Sequence, residues 1–108
     1  WAFAASTVQE AMHSIKSSKA PQRISEQEIV DCDNGSYGCN GGWSDTAWKF
    51  SNEKGSIAYD EYPYEAEDKE CRHQEKKDLA TGAGIVSRAD AESVAYVYGG
   101  KDAMIEQI

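Results

Sequence analysis

The stretch Ser25-Glu26-Gln27-Glu28-Ile29-Val30-Asp31-Cys32-Asp33-Asn34-Gly35-Ser36-Tyr37-Gly38-Cys39-Asn40-Gly41-Gly42-Trp43-Ser44 carries more structural information than any other in this chain. Its first part reads as a helix entry. Ser25 and Glu28 have capping-box spacing, in which the hydroxyl serves one orphan N–H and the carboxylate reaches back to another. Ile24 and Ile29 stand at hydrophobic-staple positions around that cap, and the helix is expected to run to about Asp31. Its second part is a loop, punctuated by Asp33-Asn34-Gly35-Ser36 and Gly41-Gly42 and containing two of the three cysteines.

Toward the N-terminus, Trp1, Ala5, Val8, Met12 and Ile15 recur at steps of four and three, one apolar stripe of a helix over residues 1–20. Pro21 is expected to stop it. Toward the C-terminus, a third helix is expected over Ser44–Asn52, with Trp43, Ala47 and Phe50 on one face and Gly55 just past its end. Residues 57–72 have no helical period. Tyr62-Pro63-Tyr64 reads as extended or turn-like, and Glu65–Glu70 as a solvated, charged loop. Ala83–Ser87 suits a short strand and Lys101–Ile108 a helix. Gly82-Ala83-Gly84 and Gly99-Gly100-Lys101 lack the further glycines and hydroxyl of a nucleotide-binding loop, so both read as loop punctuation.

The composition sets outer limits. With 108 residues there is room for one domain of ordinary size. Eleven basic and 19 acidic side chains give 11 − 19 = −8, which argues against a nucleic-acid partner or an anionic membrane surface. No apolar run approaches the roughly 18–20 residues of a membrane span, so no membrane segment is expected. Leu, Ile, Val and Phe together number 15 of 108, a thin supply for a core, partly offset by 14 alanines, three Trp and six Tyr. A chain that starts at Trp1 and breaks off within a helix is expected to be partial or processed.

Cys32, Cys39 and Cys71 leave an odd thiol whichever pair forms. Closing about 40 residues through Cys32–Cys71 is worth roughly 4 kcal/mol by chain entropy. Closing about eight through Cys32–Cys39 is worth roughly 2.5 kcal/mol, and entropy alone does not choose between them. Their spacing does not suit zinc, and no metal site is expected. A disulfide implies a secretory or lysosomal route. Asn34-Gly35-Ser36 is a glycosylation sequon that fits this route, and Asn-Gly is equally the signature of a plain turn.

Four segments together resemble the papain family of cysteine peptidases, on its cathepsin-L-like side. Trp1-Ala2-Phe3 is similar to the residues that follow the family's nucleophile, and Ser25–Cys32 to its second-helix motif. Tyr37-Gly38-Cys39-Asn40-Gly41-Gly42 is similar to its substrate-cleft loop, and Tyr62-Pro63-Tyr64-Glu65-Ala66 to a loop further on. Order and spacing agree across residues 1–72, and beyond 73 the likeness weakens. The resemblance implies an α+β, papain-like fold, with residues 1–80 in the helical left-hand domain and 81–108 as crossover and start of the barrel domain.

The resemblance also implies a function. The nucleophilic cysteine would directly precede Trp1, at a helix N-terminus that favours the thiolate. The general-base His and its Asn would lie roughly 130–150 residues beyond the nucleophile, and the oxyanion-hole Gln upstream, so no catalytic residue falls within 1–108. By this reading His13 and His73 are not catalytic, and the 108 residues alone are inert. What they keep is a wall of the substrate cleft. Gly41 and Gly42 would let a substrate strand approach, Trp43 and Ser44 would flank one subsite, Tyr37 the next, and Asn40 belongs to the same loop. The family pattern pairs Cys32 with Cys71, and Cys39 with a cysteine four residues before Trp1. It calls for no cofactor, and its partners are protein and peptide substrates, a propeptide and cystatin-like inhibitors, acting on a monomer. The short Gly55–Cys71 loop favours an endopeptidase. Two rivals stand beside it: a papain-like structural or matrix protein with Ser as the nucleophile's replacement, which shares Trp-Ala-Phe and differs at the residue before Trp1, and a small secreted disulfide-bonded binding module.

Overall fold

The computed structural model describes residues 1–79, 85–86, 100–101 and 105. Helix α1 spans Ala2–Ser17, α2 Glu26–Cys32, α3 Ser44–Lys54 and α4 His73–Leu79. Two short strands, β1 (Ser56–Ile57) and β2 (Ile85–Val86), pair antiparallel, Ser56 opposite Val86 and Ile57 opposite Ile85. Single-turn 3₁₀ helices at Gly38–Asn40 and Tyr59–Glu61 complete the described elements. No helix among the described residues is long and apolar enough to cross a membrane.

Small side chains decide how the helices meet. Ala2, Ala5, Ile29, Val30 and Ala47 form the main apolar cluster, with Trp1 and Trp48 packed against it. The buried face of α1 is Ala2, Ala5, Ser6 and Gln9, not the stripe its larger residues mark. Val8 is 42% and Ile15 78% exposed. Alanine and serine at the contact let α2 and α3 approach closely, which their bulkier neighbours would prevent. Trp48 exploits this approach, donating its Nε1–H to Ala5 O at 3.1 Å. The end of α1 also differs from expectation. It stops at Ser17 with Ser18 in the left-handed region (φ 55°), before Pro21 is reached. On α3, Ala47 and Ser51 are buried, while Trp43 is 65% exposed. Gly55 follows α3 with φ 83°.

The cap at Ser25 forms by half. Its Oγ accepts from Glu28 N at 2.9 Å and donates to Tyr62 O at 2.6 Å. The reciprocal bond does not form, because Ser25 N–H goes to Ile57 O at 2.9 Å. Residues 23–25 lie antiparallel to 57–59 through an Ile24–Ala58 bridge, and that pairing takes the donor the box would have used. Glu28 turns instead to Ile57 N–H and to His73 Nδ1, the latter at 3.3 Å. Ile24 and Ile29 are each 1% exposed.

The scarcity of large aliphatic residues is offset by a polar interior. Gln27 and Glu28 are 0% and 1% exposed, and the Asp31 carboxylate is fully covered. Asp31 accepts from Gln27 Nε2 (2.8 Å), Tyr62 OH (2.7 Å) and Lys69 N (3.0 Å). Gln27 in turn donates to Glu67 O and accepts from Glu65 N. Buried polar groups are tolerable when bonded in this way, and such networks specify one arrangement. The Glu65–Glu70 loop therefore presents its side chains to solvent while α2 holds its backbone. Among the described residues Tyr62 is the largest fully buried side chain, and burial, with Asp31 assisting against Arg72 N–H, pushes its phenol up to about 12. His73, expected in a charged loop, opens α4 and packs edge-on against Phe50 with ring centroids 5.8 Å apart.

Ile85–Val86 lie within the strand expected over 83–87. Gly100, expected as loop, is helical, and Lys101 and Ile105 are helical within the helix expected over 101–108. Gly82-Ala83-Gly84, Gly99 and most of that last helix lie outside the described residues.

Candidate functional site

The loop between α2 and α3 is organised by a residue that the sequence reading passed over. Asp33, 7% exposed, accepts from Gly35 N at 3.0 Å, Ser36 Oγ at 2.7 Å and Thr46 Oγ1 at 2.7 Å. Ser36 and Thr46 hydroxyls also meet at 2.9 Å, and Ser36 Oγ accepts from Trp43 N at 3.1 Å. One carboxylate thus ties the start of the loop to the first turn of α3. The signal was legible in Asp33-Asn34-Gly35-Ser36, since an Asp whose side chain bonds a backbone N–H two residues on is an Asx turn.

Within this frame Tyr37–Gly41 closes into a tight turn. Tyr37 N donates to Gly41 O at 2.8 Å and Gly41 N to Gly38 O at 3.2 Å, so both backbone groups of Gly41 are consumed inside the loop. Gly41 has φ 124°, a conformation only glycine adopts readily, and a Cβ there would meet open space. Gly42 is the reverse. Its missing side chain leaves room for Ser36 and the Trp1 ring, both of which a Cβ would strike at 2.6 Å. Glycine at 42 is thus required from the inside, by packing. Neither its N–H nor its C=O has a partner among the described residues.

The other expected residues fall around this pair. Tyr37 (73% exposed) and Trp43 (65%) stand out from the loop, Asn40 is exposed, and Ser44 is half-buried as the first residue of α3. Trp1 anchors the head of α1 to the loop by donating Nε1–H to Gly38 O at 2.8 Å. Asp68 supports the far side, accepting from Cys39 N at 2.6 Å, and a Cβ on Gly38 would collide with its carboxylate. Cys32 and Cys71 are disulfide-bonded, and Cys39 is an exposed free thiol. Asn34 is exposed. His13 lies on α1, and His73 opens α4, where it is engaged with Glu28. No cluster of three or more His, Cys, Asp or Glu able to hold a metal occurs among the described residues.

This geometry has close counterparts. Residues 1–103 match the sequence profile of the papain family of cysteine proteases. Procathepsin L of Rattus norvegicus is 40% identical over 89 residues, which is 80% of this chain and 26% of that protein. Digestive cysteine proteinase 1 of Homarus americanus is 37% identical over 99 residues, 88% of this chain and 30% of that protein. Among solved structures, a Carica candamarcensis cysteine protease in complex with E-64 superposes with TM-score 0.80 at 29% identity, covering 99% of this chain and 46% of that one. The digestive procathepsin L 3 of Tenebrio molitor larval midgut matches with TM-score 0.68 at 28% identity, over 82% of this chain and 27% of that one. The chain thus spans between a quarter and a third of the length of these curated relatives. With a profile match over nearly all its residues and a papain-like fold, the chain belongs to the papain family of cysteine proteases.

Proposed function

We propose that these residues form one wall of the substrate cleft of a papain-like cysteine endopeptidase, with Gly42 as the residue that pairs with the substrate backbone. The observation that carries the reading is that the N–H and C=O of Gly42 have no partner among the described residues, beside the fully bonded Gly41. An extended peptide adds to an edge through such a pair, and side chains on either side select its residues. Gly41 then shapes the turn and keeps the approach open. Tyr37, Asn40, Trp43 and Ser44 flank the bound strand, the two exposed aromatics offering apolar faces.

The Trp1–Gly38 bond places the head of α1 against the same loop. A cysteine directly before Trp1 would therefore stand beside the paired substrate, with the positive end of the helix dipole favouring its thiolate. That thiolate would attack the scissile carbonyl and form an acyl-enzyme, which water releases. The general base and oxyanion donors come from other parts of such an enzyme. Residues 1–80 then belong to the helical domain, and 81–108 lead into the second. Propeptide and cystatin-like inhibitors would use the same cleft, and a lysosomal or secreted location accords with the disulfide.

The test is the product of the complete reading frame. The codon before that of Trp1 should encode Cys, and the protein should cut a folded-protein substrate at internal bonds in a manner abolished by iodoacetamide. Serine at that codon with no cleavage would establish the structural-protein alternative. Release of dipeptides alone would overturn the endopeptidase assignment.

A further inference from the structure

The sequon Asn34-Gly35-Ser36 has two readings, a turn or an attachment site, and the loop geometry separates them. An asparagine kept for a turn uses its side chain to hold backbone. Here that work is done by its neighbour. Asp33 Oδ1 accepts from Gly35 N at 3.0 Å, and Asp33 O accepts from Ser36 N at 3.1 Å. The Asn34 amide is exposed and has no hydrogen-bond partner among the described residues. It lies on the rim of an open groove of about 790 Å³, bordered by Thr46, Lys49, Phe50 and Glu53 on the α3 side and by the Cys32–Cys71 bridge. None of Tyr37, Gly41, Gly42 or Trp43 lines this groove. A bulky group on Asn34 thus has space along α3 without covering the candidate cleft.

We infer that Asn34 carries an N-linked oligosaccharide, its first N-acetylglucosamine seated at the mouth of this groove. In the transfer, Asn34 Nδ2 displaces the pyrophosphate from C1 of a polyprenyl-diphosphate oligosaccharide. The Nδ2–C1 bond forms and the C1–O bond breaks. The polyprenyl diphosphate leaves with the electron pair, and the amide gives up one proton. Transfer precedes folding, so the later engagement of Ser36 Oγ with Asp33 and Thr46 does not compete with recognition of the sequon. The inference rests on the secretory route proposed above.

The experiment secretes the product of the complete reading frame from eukaryotic cells and treats it with peptide N-glycosidase in heavy-oxygen water. The expected result is a faster-migrating band after treatment, heavy-oxygen Asp at position 34 by mass spectrometry, and a smaller shift on treatment of the Asn34→Gln variant than of the unaltered protein. Mapping the Cys32–Cys71 disulfide in the same digest reports passage through an oxidising compartment independently. With that bridge formed, an unmodified Asn34 overturns the inference and leaves the cleft reading intact. Secretion with both cysteines reduced would count against the route itself, and with it the inference. Spontaneous Asn-Gly deamidation is told apart because it incorporates ordinary oxygen before treatment.

Discussion

Breaking the Cys32–Cys71 bond should lower stability by about 4 kcal/mol, the loss coming mainly from the unfolded state. The bridge joins positions 39 apart, from the end of α2 to the start of the segment leading into α4. For a closed loop of about 40 residues, the chain-entropy relation gives ~13 cal/mol/K, or about 4 kcal/mol at room temperature. A domain of this length typically has about 5–15 kcal/mol in total, so the loss takes a quarter or more of it. At the melting temperature it corresponds to a drop of about 15–20 °C. The native contacts around the bridge should survive. Arg72 N still donates to Tyr62 OH at 3.1 Å, Tyr62 OH to Asp31, and Lys69 N to Asp31. Oxidised and thiol-reduced protein should therefore share a near-UV circular dichroism spectrum. The reduced form should show a lower urea midpoint and a steeper m-value, because its unfolded chain exposes more surface. Reduction leaves both sulfur atoms in place, so packing at the buried Cys32 is not part of the change. Equal midpoints, or a loss below about 1 kcal/mol with unchanged m, would refute the entropic account.

Three further outcomes follow from the interior. Gly42→Ala should cost about 1–3 kcal/mol by overpacking against Ser36 and shift Trp1 fluorescence, whereas Gly41→Ala should cost a similar amount through its φ of 124° alone and leave Trp1 unmoved; a neutral Gly42→Ala would disprove the packing role. Asp31→Ala should cost about 3–5 kcal/mol in urea unfolding, because it strands the Gln27 amide, the Tyr62 hydroxyl and Lys69 N–H; a loss below 1 kcal/mol would mean that the network does not hold the 62–72 segment. Burial raises the pKa of Glu28 above its ordinary 4.5, against the opposing pull of His73 and Ile57 N–H. A carboxyl with a raised folded pKa contributes stability that is full below the unfolded value and is lost as pH rises through the folded one. The stability of the native protein relative to Glu28→Gln should therefore decline between pH 4.5 and neutrality, and a difference that is flat or grows would contradict the assignment.

Local signals were readable wherever the chain's neighbours in sequence were also its neighbours in space. The serine cap, the Ile24–Ile29 pair, α3 and the glycine at its end all depend on residues within a few positions of one another. The loop residues Tyr37–Ser44 were identifiable by likeness to a known pattern. Their physical requirements were not, since Gly42 is small on account of Trp1, more than 40 positions away. The same separation hid the true face of α1. Its periodic large residues marked Val8 and Ile15, yet the contact went to alanine and serine because two other helices had to come close.

The sequence by itself thus determined the first three helices, the family, and the loop between α2 and α3 as a turn rich in glycine, because short-range capping and backbone freedom are encoded locally; α4 it did not reveal. The tertiary structure alone decided which partner each polar group takes. Glu28 leaves the cap for Ile57 and His73, Asp33 gathers the loop, and Asp31 holds a segment some 30 to 40 positions onward. Most buried donors and acceptors are satisfied, and the partner is whichever group the fold brings within about 3 Å, which spacing along the chain does not reveal.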